Sequence, residues 1–143
     1  MTEEWHRNGY LISTDRSLLD LDTVHGFLQR SYWAADRPLE IVRRSLEHSL
    51  TFGMYQAQDY CQVGFARVVT DFATFAWVCD VFIDEAHRGR GLGVWLMETI
   101  AGHERLQTLR LWLLATKDAH GLYQKTGFEP LGLPERFMWK VNP

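Results

Sequence analysis

The sequence predicts an α/β (α+β) fold: a single mixed, mostly antiparallel sheet flanked by helices on both faces. Three observations carry this. Apolar residues recur at helical spacing in two stretches within the first fifty positions. The middle of the chain is rich in Val, Phe, Tyr and Trp, in segments broken by polar pairs, which is the texture of consecutive strands. Beyond residue 83 the period turns helical, then strand-like, then helical again, so helices and strands must share one layered core.

Taken in order, residues 9–14 read as a short, mixed strand. Leu21, Val24, His25, Leu28 and Tyr32 then fall at helical spacing, with Asp20 or Asp22 available to cap. Arg37-Pro38 restarts the chain, and Pro suits the first position of a helix whose face is Ile41, Val42, Ser45, Leu46 and Ser49. Arg43 and Arg44 fall on the solvated side of that helix. Residues 51–57, Gln62–Thr70 and Phe75–Ile83 read as three strands of an antiparallel meander, separated by pairs such as Gln58-Asp59 and Asp71-Phe72. Leu92, Leu96 and Ile100 recur at four-residue intervals and define the next helix. Residues 108–115 are apolar enough for a strand buried on both faces. A short helix over 119–126 follows, with Asp118 as N-cap and Gly127 as its left-handed stop. Residues 137–141 read as a last strand.

No repeat, low-complexity tract or linker interrupts this order, so one domain over 1–143 is expected. A chain of 143 residues buries roughly 68–70% of its unfolded surface and needs no metal or disulfide staple. The net charge of −3 and pI near 6.0 leave no basic face for DNA or RNA. Cys61 and Cys79 lie in apolar, strand-like runs and are expected as buried free thiols, because neither has the Cys or His neighbours of a zinc site. Met1-Thr2-Glu3-Glu4-Trp5 lacks the basic and apolar blocks of a signal peptide, and no run approaches the ~20 apolar residues of a membrane span. A cytoplasmic protein with no metal, nucleic-acid or membrane partner is the expectation.

The chemistry concentrates in Arg88-Gly89-Arg90-Gly91-Leu92-Gly93, between a strand and a helix. A glycine-rich strand-to-helix turn exposes backbone N–H groups at the positive end of the helix dipole, and both favour an anion. Arginines in the same turn add charge-assisted donors suited to phosphate. Two better-known phosphate loops fail on named residues. A P-loop needs Lys and then Ser or Thr after its last glycine, where Val94-Trp95 stands. A dinucleotide fingerprint counted from Gly89 and Gly91 needs glycine at position 94, which is Val94.

Arg88-x-x-Gly91-x-Gly93 after a strand resembles the Arg/Gln-x-x-Gly-x-Gly/Ala signature of the GNAT family of N-acetyltransferases. Downstream, Ala119-His120-Gly121-Leu122-Tyr123-Gln124-Lys125-Thr126-Gly127-Phe128 resembles that family's Ala…Tyr-x-Lys-x-Gly-Phe motif. The motifs stand in the family's order, and the element order matches over nearly the whole chain. The resemblance implies the acyl-CoA N-acyltransferase fold, acetyl-CoA as acyl donor, and direct transfer to a primary amine in a ternary complex. It further implies that backbone groups of Val81, Phe82 and Ile83 hold the pantetheine and acetyl carbonyl. Amides of Arg88, Gly89, Arg90, Gly91, Leu92 and Gly93 would hold the pyrophosphate. Thr116 stands where many members carry a cofactor-binding Asn, and a hydroxyl replaces one amide hydrogen bond but not two.

Acyl transfer from a thioester to an amine needs a neutral amine, a stabilised oxyanion and a proton for the departing thiolate. Tyr123 occupies the motif position of the family's usual general acid. Asp80 is an acidic residue alone in an apolar strand, so it is either hydrogen-bonded scaffold or part of a site; it is the candidate base. Glu85 and His87 in the turn and His120 near Tyr123 are weaker alternatives. Ser31-Tyr32-Trp33, between the first two helices, offers an aromatic wall or core packing. The expected acceptor is a small-molecule or peptide amine, and a homodimer is common among such relatives. Two alternatives share the loop: a non-catalytic CoA-binding or regulatory module, and an acyltransferase using another acyl-CoA such as succinyl-CoA.

Overall fold

The computed structural model describes residues 2–143. Its strands are β1 (Glu4–Arg7), β2 (Tyr10–Ser13), β3 (Leu50–Gln56), β4 (Gln62–Thr70), β5 (Phe75–Ile83) and β6 (Leu111–Leu114). Its helices are α1 (Leu21–Gln29), α2 (Leu39–Glu47), α3 (Leu92–Ala101) and α4 (His120–Gln124). The six strands lie side by side in chain order, β1 to β6. Each neighbouring pair is antiparallel except β5–β6, which is parallel. A parallel pair needs a crossover, and α3 supplies it.

The sheet is covered on both faces, as the sequence predicts. On one side α1 and α2 present Val24, Phe27, Leu28, Val42 and Leu46 to Phe65 and Phe82. On the other, Leu92, Trp95, Leu96, Met97 and Ile100 of α3 pack on Ile12, Phe52, Met54, Val68 and Val78. Leu96 is fully buried, so burying its side chain contributes about 2–3 kcal/mol and fixes α3 against the sheet. Asp20 caps α1 by accepting the Thr23 N–H at 3.1 Å, and its own N–H donates to Gln62 Oε1 at 2.9 Å, which ties the helix start to β4. Arg43 and Arg44 are exposed on α2.

Several expectations need correction. The first strand is preceded by another, β1, joined through Asn8 and Gly9 with φ of 50° and 84°. Two consecutive left-handed residues make the tight turn that suits a twisted hairpin, and Asn-Gly is its strongest sequence signal. Pro38 is the N-cap of α2 rather than its first residue, with ψ of 151°. Strand β6 is shorter than expected and only half-buried along its length, because it is the sheet's edge. The cap of α4 is Ala119, not Asp118. Residues 137–141 form no strand: Met138 and Trp139 are 97% and 90% exposed. Apolar content alone does not make a strand, since a sheet edge must also come within reach to pair its backbone. Cys61 is exposed in the turn before β4, and Cys79 is half-buried in β5. No helix is long and apolar enough to cross a membrane.

One irregularity positions everything that follows. Phe65 pairs with Phe82 and Arg67 with Cys79, so Asp80 and Val81 together face the single residue Ala66. This is a β-bulge, and Asp80 adopts φ of 56° within it. The extra residue reverses the side-chain alternation of β5. Ala76 and Val78 point into the α3 core, whereas Phe82 points into the α1–α2 core. Pairing of β5 with β6 ends at Val78 and Leu114. Beyond that point the two strands part.

Candidate functional site

The parting of β5 and β6 opens a cleft of about 740 Å³. Its floor is the stretch 79–83 of β5, and residues 114–116, Leu122 and Tyr123 form one wall. The loop at 87–94 and a group gathered around Asp80 complete it. Val81, Phe82, Ile83, Arg88, Gly89, Gly91, Leu92, Gly93 and Thr116, all singled out from the sequence, line this one cavity together with Asp80 and Tyr123. Arg90 does not.

On the loop side, Gly89 and Gly91 have φ of 79° and 77°, which side-chain-bearing residues rarely adopt. A Cβ on either would meet nothing within 4 Å, so the backbone conformation requires glycine while the space before it stays open. Gly91 is the N-cap of α3 and makes no side-chain cap. The first α-helical donor is Trp95, to Gly91 O at 3.1 Å, so the N–H groups of Leu92, Gly93 and Val94 precede the hydrogen-bonded ladder. Such donors at a helix start suit a phosphate.

The two loop arginines diverge. Arg88 donates through Nε to Ile83 O at 2.8 Å, with its guanidinium 5.0 Å from the centre of the Phe82 ring. Arg90 turns away and donates to Tyr10 Oη at 3.1 Å, and that oxygen lies 2.8 Å from His87 Nδ1. Tyr10 Oη thus bridges Arg90 and His87. Arg90 therefore ties the loop to β2 through its side chain. Tyr10 is part of this support and nothing local in the sequence links it to residues 87–90.

The second motif meets the first through packing. A Cβ on Gly93 would lie 3.7 Å from Leu122 Cδ2, an ordinary contact, so α4 rests directly on the start of α3. Phe128 donates its N–H to Tyr123 O at 3.2 Å, and the two rings meet at 72°. Gly127, with φ of 97°, makes the turn that permits this. Burial pushes the Tyr123 hydroxyl up to about 12, and Tyr32 and Asp118 act in the same direction. It therefore keeps its proton across the physiological range. Thr116 Oγ1 accepts the Ala119 N–H at 3.1 Å, so part of its capacity goes to starting α4.

Around Asp80 the structure assembles what no motif announces. Asp80 is 4% exposed. Its Oδ1 accepts from Trp33 Nε1 at 2.9 Å, and its Oδ2 accepts from Arg37 at 2.8 Å and Arg67 Nε at 2.9 Å. Burial by itself would raise this carboxyl, but the charges of Arg67 and Arg37 and the bonds from Arg67 and Trp33 outweigh it, leaving it below the usual range. Sequence reasoning found Asp80 and the Trp33 region but not Arg37 or Arg67 as partners. Tyr32 meets Trp33 edge-on at 5.1 Å and accepts the Lys117 N–H at 2.8 Å, which links the α1–α2 connection to the segment after β6.

The weaker candidates are otherwise engaged. Glu85 accepts from Arg30 Nε at 3.0 Å, and the bonds from Arg30 draw its carboxyl down to about 2. His87 is held by Tyr10 as above, and His120 is exposed on α4 outside the cleft. Among the described residues no cluster of three His, Cys, Asp or Glu is placed to hold a metal ion.

The family model of the acetyltransferase (GNAT) domain matches residues 50–130. The chain belongs to the GNAT acetyltransferase family. A proposed acetyltransferase of Gibberella zeae is 32% identical over 86% of this chain and 80% of its own length. A crystal structure of a Xanthomonas campestris protein, assigned by proposal to the same family, is 45% identical, covers 96% of both chains and superposes with a TM-score of 0.90. A Staphylococcus aureus chain, 19% identical at a TM-score of 0.71 over the full length of both chains, shares the fold. In this GNAT domain the matched span runs from β3 to just past Phe128 and so holds both motifs. Trp33 and Arg37 lie before it.

Proposed function

We propose that the protein transfers the acetyl group of acetyl-CoA to a primary amine, by direct attack while both are bound. One observation carries this reading: the cleft runs from an uncapped helix start at Gly91 to a protonated tyrosine, across the edge of β5 that β6 no longer pairs beyond Val78. The N–H groups of Leu92, Gly93 and Val94 and the open backbone at Gly89 and Gly91 suit the pyrophosphate. Backbone of Val81, Phe82 and Ile83 suits the amide arm and the acetyl carbonyl, where an N–H donor stabilises the oxyanion. The thioester supplies an activated acyl group. Tyr123 supplies the proton, or the hydrogen bond, that the departing thiolate needs.

Asp80, the base suggested by the sequence, suits that role poorly in this setting. Three donors occupy its oxygens, and their effect lowers its affinity for a proton. We assign it instead to holding Trp33, Arg37 and Arg67 in place. The amine then loses its proton to solvent, with no side chain as base.

Thermal melting tests the donor: acetyl-CoA at 100 times its Kd should add about 2.7 kcal/mol of stability. No shift at millimolar acetyl-CoA removes the assignment. Tyr123→Phe should lower kcat by about 10²-fold or more with acetyl-CoA affinity nearly unchanged. Equal turnover in that variant would remove Tyr123 as the acid.

A further inference from the structure

The protein carries a net charge of −3, yet its cleft is cationic. Four arginines line it (Arg30, Arg37, Arg67 and Arg88) against two aspartates, Asp80 and Asp118. Arg30 is neutralised by Glu85 at 3.0 Å, and Arg88 belongs to the loop side. The excess that matters sits around Asp80, where one carboxylate serves two guanidinium groups.

Asp80 has little left to offer. Both arginines share its Oδ2, and Trp33 holds its Oδ1. Arg67 uses Nε for Asp80 and Nη1 for Ser49 Oγ, while Arg37 uses only Nη1. Each guanidinium has five N–H donors, so both keep unshared ones. The two side chains are 24% and 14% exposed, and both line the cleft. A partly buried cation in excess of its counterions favours an arriving anion, since desolvation has already been incurred. Beside this pair, Trp33 and Trp77 are 40% and 37% exposed and line the same cavity.

We propose that the acceptor amine carries an anionic oxyacid group, carboxylate or phosphate, which Arg37 and Arg67 receive while Trp33 and Trp77 flank the rest of the molecule. This rests on the transferase reading above. Arginine forks match the paired oxygens of either anion, and the aromatic faces supply area without conformational cost. The same positive excess disfavours a diamine and lowers the pKa of a bound ammonium, which favours the neutral nucleophile. The Asp80 group would thus choose the acceptor and prepare it, with no side chain acting as base.

The experiment compares matched acceptors on the unaltered protein, reading acetyl-CoA-dependent thiol release. One arm sets a panel of α-amino acids against their α-amides; a second sets phosphoethanolamine against ethanolamine; putrescine is the dicationic control. The amides and amino acids differ in charge with little change in shape. The amide's amine is also less basic, so basicity works against the proposal. A kcat/KM at least about tenfold higher for the anionic member of either pair is expected, from one charge-assisted contact. The pair that shows the preference identifies carboxylate or phosphate. Arg37→Gln should collapse that preference through KM, with acetyl-CoA affinity unchanged. Should the variant fold poorly, the acceptor pairs decide alone. Equal or better turnover of amides, ethanolamine or putrescine overturns the proposal and leaves acetyl transfer standing. No thiol release with any of these amines, despite an acetyl-CoA melting shift, overturns transfer and this inference together.

Discussion

The loop side of the cleft is six consecutive residues, Arg88 to Gly93, working through backbone N–H groups and glycine conformations. The Asp80 side is drawn from Trp33, Arg37, Arg67 and Asp80, up to 47 residues apart in sequence, and works through side chains. A backbone site needs certain positions to be glycine and leaves other side chains free for supporting tasks, as Arg90 shows by reaching back to Tyr10. A side-chain site depends on each member, because removing one charge exposes the rest. On the function proposed above, the donor half can therefore stay the same while the acceptor half changes with single substitutions.

The largest test of this contrast is Asp80→Asn. It keeps the left-handed backbone, which Asn tolerates, but leaves Arg37 and Arg67 without their shared carboxylate. Breaking a buried pair in this way costs about 3–5 kcal/mol, read by chemical denaturation. The pH dependence follows from the same contacts. The folded carboxyl lies below its ordinary value, so its contribution is present above about pH 4 and lost as pH falls through the folded pKa. The variant should lack that acid-side loss. A variant as stable as the parent would mean the cluster holds nothing together.

Next in size, Gly91→Ala should cost about 1–2 kcal/mol from its left-handed backbone alone, because no atom crowds the new Cβ. The fold should survive while the acetyl-CoA melting shift shrinks. An unchanged shift would show that the loop's conformation is not what holds the donor.

Away from both sides, Tyr55 provides a control for Tyr123. Burial raises both hydroxyls, but Tyr55 Oη is sealed in the core with no hydrogen-bond partner among the described residues. Tyr55→Phe should therefore gain about 1 kcal/mol and leave turnover alone, where Tyr123→Phe loses turnover. The smallest effect is expected of Glu85→Gln, which removes an exposed pair with Arg30. Its carboxyl is lowered to about 2, so any contribution is present above the ordinary glutamate value and lost as pH falls toward 2. In physiological salt the change in melting should vanish into screening.

Legibility in the sequence followed the range of the interactions. Strands β4 and β5 were bounded correctly because their apolar content and turn pairs are local. Strand β1 was missed although Asn8-Gly9 announced a hairpin, because Glu4, His6 and Arg7 hide a strand whose surroundings are largely solvent. Residues 137–141 are apolar enough to read as a strand, yet they pair with no strand of the sheet. Asp80 stood out as a lone acid in an apolar strand, but its role turned on donors from two distant segments.

From sequence alone came the layered sheet and the glycine-rich helix start at Gly91, set by periodicity and glycine conformation, and, through the family resemblance, the motif that holds Tyr123. Only tertiary structure decided that a bulge at Asp80 reverses the alternation of β5, that β6 parts from it after Val78, and that Arg37 and Arg67 converge on one carboxylate. The reason is physical. A bulge is defined by the partner strand it faces, and an excess of charge by which groups end up sharing a counterion. Neither is a property of any one stretch of chain.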